Sequence, residues 1–186
     1  MNFFVYSIGH GNKAIEQFVS ELKKFDIQFL IDVRSKPYSK HHPQFNLPVL
    51  QHSPNFVNNG IKYAYMGDEL GGLPTNSACY TNGRVDYGKL SRDAAFQHGL
   101  KRIIDANEKH FRICIMCSES DPKQCHRTKL IGEELRKVGI IMQHITRNHY
   151  GDTVTKPQTD IMNELNNGDK DLFGDKSELT SRKQYI

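Results

Sequence analysis

Phe111–Met116 (FRICIM) is the run that most restricts what this chain can become. Apart from Arg112 it is apolar at nearly every position, without the in–out alternation of a strand with one wet face. A strand of that kind has to be covered on both sides, which means a parallel or mostly parallel sheet between helices. Ser118–Asp121 follows as a turn. Asp121 then offers a side-chain cap and Pro122 sits where a helix needs no N–H. An apolar stripe at Leu130, Ile131, Leu135 and Val138 predicts a helix closed by Gly139 at C′.

The same pattern recurs along the chain. Strands are expected at Phe3–Ile8, Gln28–Val33, Ile61–Met66 and Ile140–Ile145, and helices on Ile15–Leu22 (capped by Asn12) and on Leu90–Lys109. Pro37–Gly60, with four prolines, reads as a long loop holding at best a short helix around 47–57 and acting as a lid or substrate contact. Leu73–Gly88 reads as a second loop. The sum is one three-layer, Rossmann-like α/β domain over residues 1–150. It has about five strands, mostly parallel, with flanking helices, followed by a polar extension over 151–186 with a short helix near Asp160–Asn166 and a weakly ordered end from Leu172. A length of 186 residues suits one such domain.

Parallel strands carry their ligands at their carboxyl ends. That edge should collect His10, Arg34 with Ser35, Glu69 with Gly71 and Gly72, and the group Cys117, Glu119, Cys125, His126 and Arg127. Each residue also has a plain structural reading. Cysteines fill cores, so Cys117 and Cys125 are either reactive thiols or packing, and Cys114, three residues before Cys117, must face the other side of the sheet. His10 is a proton shuttle or a turn histidine. Glu69 is a general base or an anchor for Arg34 or Arg127, and Asp32 orients Arg34 or caps a loop. A helix start beside a thiol favours thiolate and binds anions. Arg34 and Arg127 supply planar forks for phosphate or carboxylate. Gly71-Gly72 marks a close backbone approach.

Charge weakly favours an anionic partner. Five Lys/Arg and seven Asp/Glu lie in 150–186, which leaves 20 against 14, or +6, in 1–149. Three functions compete on these residues. One is an enzyme with an anion-binding pocket, using Cys117 or Cys125 as nucleophile and His10, His126 or Glu69 for proton transfer; no Cys-x5-Arg phosphatase loop is present. Another is a nucleotide or nucleic-acid binding module built on the basic Arg34–Lys40 loop and Tyr38, Tyr63, Tyr65 and Tyr80. The third is a Cys/His metal protein, although Cys-x7-Cys-His is not the spacing of structural zinc modules. The sequence identifies no cofactor. No 18-residue apolar run exists, the N-terminus lacks a signal-peptide pattern, and four cysteines suit a reducing compartment, so a cytoplasmic, non-membrane protein is expected.

Five segments, Ser7-Ile8-Gly9-His10, Asp32-Val33-Arg34-Ser35 with Pro37, Phe45-Asn46, Tyr65–Gly72, and Cys117-x-Glu119-x-x-Pro122-x-x-Cys125-His126-Arg127, together resemble domain of unknown function family 488 over about residues 3–150. The resemblance implies a single α/β domain with these motifs gathered in one pocket. It supports Arg34, Glu69, Cys117, Glu119, Cys125, His126 and Arg127 as site residues and implies no substrate. Gly11 stands where the family pattern leads one to expect Ser or Thr.

Overall fold

A computed structural model describes residues 4–166 and 179–186. Six strands form one sheet in the order β3-β2-β6-β1-β7-β8: β1 (Phe4–Gly9), β2 (Phe29–Asp32), β3 (Lys62–Tyr65), β6 (Ile113–Cys117), β7 (Ile141–Arg147) and β8 (Thr153–Pro157). The first five are mutually parallel, and β8 runs antiparallel to β7. A separate two-stranded hairpin joins β4 (Tyr80–Thr81) and β5 (Arg84–Val85).

β6 lies at the centre, and all five of its residues are buried. Its odd positions, Ile113, Ile115 and Cys117, belong to one core, and Cys114 and Met116 to the other. This is the division expected of a strand whose successive side chains point to opposite faces. The core around Cys114 is filled by α1 (Ile15–Lys24) through Phe18, Val19 and Leu22, and by the β2–β3 connection through Phe45, Leu50 and Phe56. The opposite core takes Leu70 of α4 (Gly67–Leu70), Leu90 of α5 (Tyr87–Leu90), Phe96, Leu100 and Ile103 of α6 (Ala94–Glu108), and Leu130, Ile131 and Leu135 of the helix after β6. The connections leaving β1 and β2 therefore cross one face, and those leaving β3 and β6 cross the other. Because β6 is inserted between β1 and β2, two such reversals flank its carboxyl end. A crevice opens there for the reason it opens in other open α/β sheets. The order departs from the 3-2-1-4-5-6 arrangement, so the Rossmann likeness is loose.

Several local expectations change. The 37–60 stretch is a packed layer, with short helices α2 (Leu47–Gln51) and α3 (Pro54–Val57) sealing the sheet. Asn12 does not cap α1. Ala14 occupies that position without a side-chain bond. The helix after β6 begins as a 3-10 turn at Pro122–Gln124, continues as a π-helical stretch at Arg127–Gly132, and becomes α only in α7 (Glu133–Lys137). Val138, read as part of the apolar stripe, is exposed at its end, while Gly139 takes the left-handed φ of +81° that closes it.

The sheet gains a sixth strand from Thr153–Pro157. This stretch was hidden because it is short and ends in proline, which only an edge strand tolerates. It leads into α8 (Gln158–Leu165). Residues 172–178 of the expected tail lie outside the described residues. Leu179–Ile186 instead packs on the hairpin: Thr180 bridges Asp86, the amide of Ser181 donates to the Val85 carbonyl, and the Tyr185 amide donates to Gly83.

Candidate functional site

Register fixes what meets at the carboxyl edge. Gly9 lies opposite Cys117, Met116 opposite Asp32, and Asp32 opposite Tyr65. The β1–β6 pairing runs on past the strands, with the amides of His10 and Gly11 donating to the carbonyls of Cys117 and Ser118. The chain then folds back over Gly9 so closely that a Cβ there would sit 1.8 Å from the Glu119 carbonyl oxygen.

Cys117, Cys125 and His126 converge at the end of β6, their donor atoms all within 4.8 Å of one another. His126 Nδ1 lies 3.9 Å from the Cys117 sulfur and 3.7 Å from the Cys125 sulfur. Its Nε2 is 3.2 Å from the Val33 carbonyl, an acceptor only, so Nε2 carries a hydrogen and Nδ1 is left to face the sulfurs. The Cys117 thiol donates to Glu119 Oε2 at 2.9 Å. The amide of Arg127 donates to the Cys125 sulfur at 3.5 Å.

These contacts treat the two cysteines differently. Burial pushes the Cys125 thiol up, but the hydrogen bond from Cys117 and the charges of Arg127 and His126 outweigh it and hold Cys125 well below the ordinary thiol range. Cys117 goes the other way. Its bond to Cys125, burial and the charges of Cys125 and Glu119 keep it a thiol. Burial lowers His126, yet the Cys125 thiolate raises it overall. Both shifts run in the direction that favours a thiolate on Cys125 and a proton on His126, with the Cys117 thiol beside them.

Arg127 is 1 % exposed. It donates to the carbonyls of Glu119 (2.7 Å) and Ser120 (3.4 Å), its Nε has no partner, and among the described residues it makes no ion pair with a carboxylate. It therefore clamps the turn from behind and does not line the cleft. A buried cation without a carboxylate is costly unless something nearby is negative. The Cys125 sulfur is the group placed to be so. At the helix start most amides are already engaged within the turn. The Lys123 amide is capped by Asp121, the Gln124 and Cys125 amides are bonded within the turn, and the Arg127 amide goes to the Cys125 sulfur.

Arg34 forms the second fixed element. Its Nε and one terminal nitrogen grip both oxygens of buried Asp32 (2.9 and 2.6 Å), that same nitrogen donates to the Phe45 carbonyl (2.6 Å), and the other donates to His10 Nε2 (3.3 Å). Of five guanidinium hydrogens, that leaves one, and Arg34 lines the cleft. His10 gives its Nδ1 hydrogen to the Gly11 carbonyl (2.8 Å) and stacks on Phe45 at 4.3 Å. Burial, with Arg34 beside it, lowers its pKa to about 4. Both ring nitrogens are engaged, Nδ1 with the Gly11 carbonyl and Nε2 with Arg34, whose guanidinium His10 helps to orient. Asp32 both orients the Arg34 guanidinium and caps the loop, accepting from the Arg34 amide at 3.1 Å, and it also accepts from the Tyr63 hydroxyl at 2.7 Å.

The cleft itself holds about 330 Å³. It is lined by Cys117, Cys125 and His126, by Arg34, Ser35, Lys36 and Glu119, and by a further wall of Arg182, Lys183 and Tyr185 from the C-terminal segment. Ser35 is tied to the Leu73 amide (2.9 Å). Gly72 lets the backbone approach His126 closely: a Cβ there would lie 2.8 Å from the His126 ring, and one on Gly71 would meet the Gly67 carbonyl and the Ser35 hydroxyl. Glu69 is not in the cleft: it pairs with His98 (2.9 Å) and Arg102 (2.8 Å) of α6 instead of Arg34 or Arg127. The tyrosines read as a stacking set are dispersed. Tyr63 is bound to Asp32, Tyr80 to the Pro74 carbonyl, Tyr65 to Asp68, and Tyr38 is 62 % exposed.

Sequence reading missed Val33, whose contribution is a backbone carbonyl, and the Ser181–Tyr185 wall. No sequence signal marks the first; a basic pair beside a tyrosine was the available hint for the second. No described helix is long and apolar enough to cross a membrane. A family model described as Domain of unknown function DUF488 matches residues 14–132, which takes in Arg34, Gly72, Cys117, Glu119, Cys125, His126 and Arg127. No curated protein and no solved structure matches the chain.

Proposed function

The chain belongs to the family of the domain of unknown function DUF488, and from its geometry we propose that it is an enzyme in which the Cys125 thiolate attacks an anionic substrate held in the basic cleft. The observation that carries this reading is the Cys125–His126 pair lining a cleft that Lys36, Arg182 and Lys183 also line. Arg34 and Lys36 hold the anion. The Cys125 sulfur forms a covalent bond to the electrophilic atom, and the bond to the leaving group breaks. The Nδ1 hydrogen of His126 passes to that leaving group, after which water releases the product and restores the thiolate. Cys117 shares its hydrogen with Glu119 and the Cys125 sulfur, which keeps Cys125 anionic between turnovers.

The test is the rate at which iodoacetamide modifies Cys125, mapped by mass spectrometry across pH, with and without inorganic phosphate. Modification that persists well below the ordinary thiol range and slows with phosphate supports the reading. A Cys125 that reacts only as an ordinary buried thiol, indifferent to phosphate, overturns it.

The compactness of the three donor atoms favours one second reading. A thiophilic divalent ion bound by Cys117, Cys125 and His126 Nδ1 would have its fourth position open to the cleft, with the Val33 carbonyl orienting the histidine from behind. Stoichiometric zinc in protein purified without an affinity tag, lost in Cys125→Ser, would replace the nucleophile reading with this one.

A further inference from the structure

The far wall of the cleft comes from a segment that the family match does not reach. Residues 14–132 carry the cysteines, His126, Arg34 and Lys36, whereas Arg182, Lys183 and Tyr185 stand fifty residues beyond its end. The segment is held in place by backbone bonding. The Ser181 amide donates to the Val85 carbonyl (2.8 Å), the Val85 amide donates to the Ser181 hydroxyl (2.9 Å), and the Tyr185 amide donates to the Gly83 carbonyl (2.7 Å). Its side chains are therefore left for the cleft. Arg182 reaches only the Gln124 side-chain amide, and Lys183 and Lys36 have no acidic partner among the described residues.

The charge count in the cleft is informative. Arg34 is matched by Asp32, and the Cys125 thiolate by His126. Among the described residues, three cations, Lys36, Arg182 and Lys183, remain against one carboxylate, Glu119. That excess suits a dianion better than a single carboxylate. The Tyr185 ring, 46 % exposed, stands on the same wall. A cation cluster beside an accessible aromatic face is the combination that binds a phosphate and stacks a base. A volume of about 330 Å³ is at the small end of ligand sites, which run from roughly 300 to 1,000 Å³. It admits one nucleotide unit and excludes a duplex.

We propose that Arg182, Lys183 and Tyr185 are specificity-determining residues that make this cleft a site for a nucleoside monophosphate, Lys36, Arg182 and Lys183 taking the phosphate and Tyr185 the base. This rests on the anionic-substrate reading above and narrows it to one chemical class.

The experiment is isothermal titration calorimetry of the full chain with inorganic phosphate, the four 5′-ribonucleoside monophosphates and the four nucleosides. The variants are Arg182→Ala/Lys183→Ala, Tyr185→Ala and Lys36→Ala. All these side chains are exposed or at the rim, so the fold is expected to persist, and circular dichroism melts check it. At least one monophosphate should bind ten-fold or more tighter than inorganic phosphate. Tyr185→Ala should close that gap, and Arg182→Ala/Lys183→Ala should weaken the monophosphate ten-fold or more. Phosphate binding that needs Lys36, with no gain from any nucleoside and no effect of the far-wall variants, overturns this inference and leaves the anionic-substrate reading standing. Absence of binding by every probe overturns both.

Discussion

The imidazole of His126 is held by the Val33 carbonyl, 3.2 Å from Nε2, across the boundary between the helix after β6 and the end of β2. That single bond decides which ring nitrogen faces the two sulfurs, and it ties the charge state of Cys125 to the position of a neighbouring strand. His126→Ala should leave the fold intact and raise the pH at which Cys125 becomes alkylated by about 1–3 units, the usual effect of losing an opposite charge at this distance. The iodoacetamide pH profile reads it directly.

Asp32 is fully buried and serves Arg34, the Arg34 amide and Tyr63 at once. Asp32→Asn leaves a buried guanidinium without its counter-charge, so it should cost about 3–5 kcal/mol in urea denaturation. Tyr63→Phe removes one hydrogen bond to a charged group and should cost about 1.5–3 kcal/mol.

Two buried histidines set the acid limit of stability. His144 accepts from the Ser7 hydroxyl (2.6 Å) and donates to Gln158 (2.7 Å). Burial, with Arg127 nearby, lowers its pKa to about 4, as burial does for His10. Each is neutral in the folded chain and protonated in the unfolded chain between about pH 4 and 6.5. The unfolded state therefore binds more protons in that window, and stability falls as pH drops through it. The loss approaches about 3 kcal/mol per histidine at the acid end. His144→Gln should flatten the slope of melting temperature against pH over this range; an unchanged slope contradicts the assignment.

Gly72 and Gly9 should fail to different degrees. A Cβ on Gly72 meets the His126 ring at 2.8 Å, and a side chain can shift, so Gly72→Ala should fold with a loss of about 1–3 kcal/mol and slower Cys125 alkylation. A Cβ on Gly9 meets backbone at 1.8 Å, so Gly9→Ala should disrupt the 117–120 turn and express poorly or lose both its melting transition and its Cys125 reactivity.

The local grammar of this chain was legible where one element sufficed to write it. The Ile113–Cys117 run required cover on both faces and received it, Asp121 caps the turn at Pro122, and Gly139 closes the helix. The placement of Cys117, Cys125 and His126 together followed because they flank one strand–turn junction. Glu69 was misplaced because a strand-end position says nothing about which way a four-residue helix turns its side chain, and α6 packed beside it offers His98 and Arg102. Arg127 was read as a ligand because sequence cannot distinguish a guanidinium aimed at an open cleft from one aimed at backbone carbonyls.

By itself, then, the sequence determined element types, a mostly parallel sheet and the strand edge where Cys117, Cys125 and His126 meet, because hydrophobic period, proline and glycine act over a few residues. Only the tertiary structure decided that β6 sits between β1 and β2, that Val33 orients His126, that Thr153–Pro157 closes the sheet, and that Ser181–Tyr185 walls the cleft. Those relations join residues dozens of positions apart. They are selected by how the two cores fill on either side of the sheet, a property of the whole chain that no local window contains.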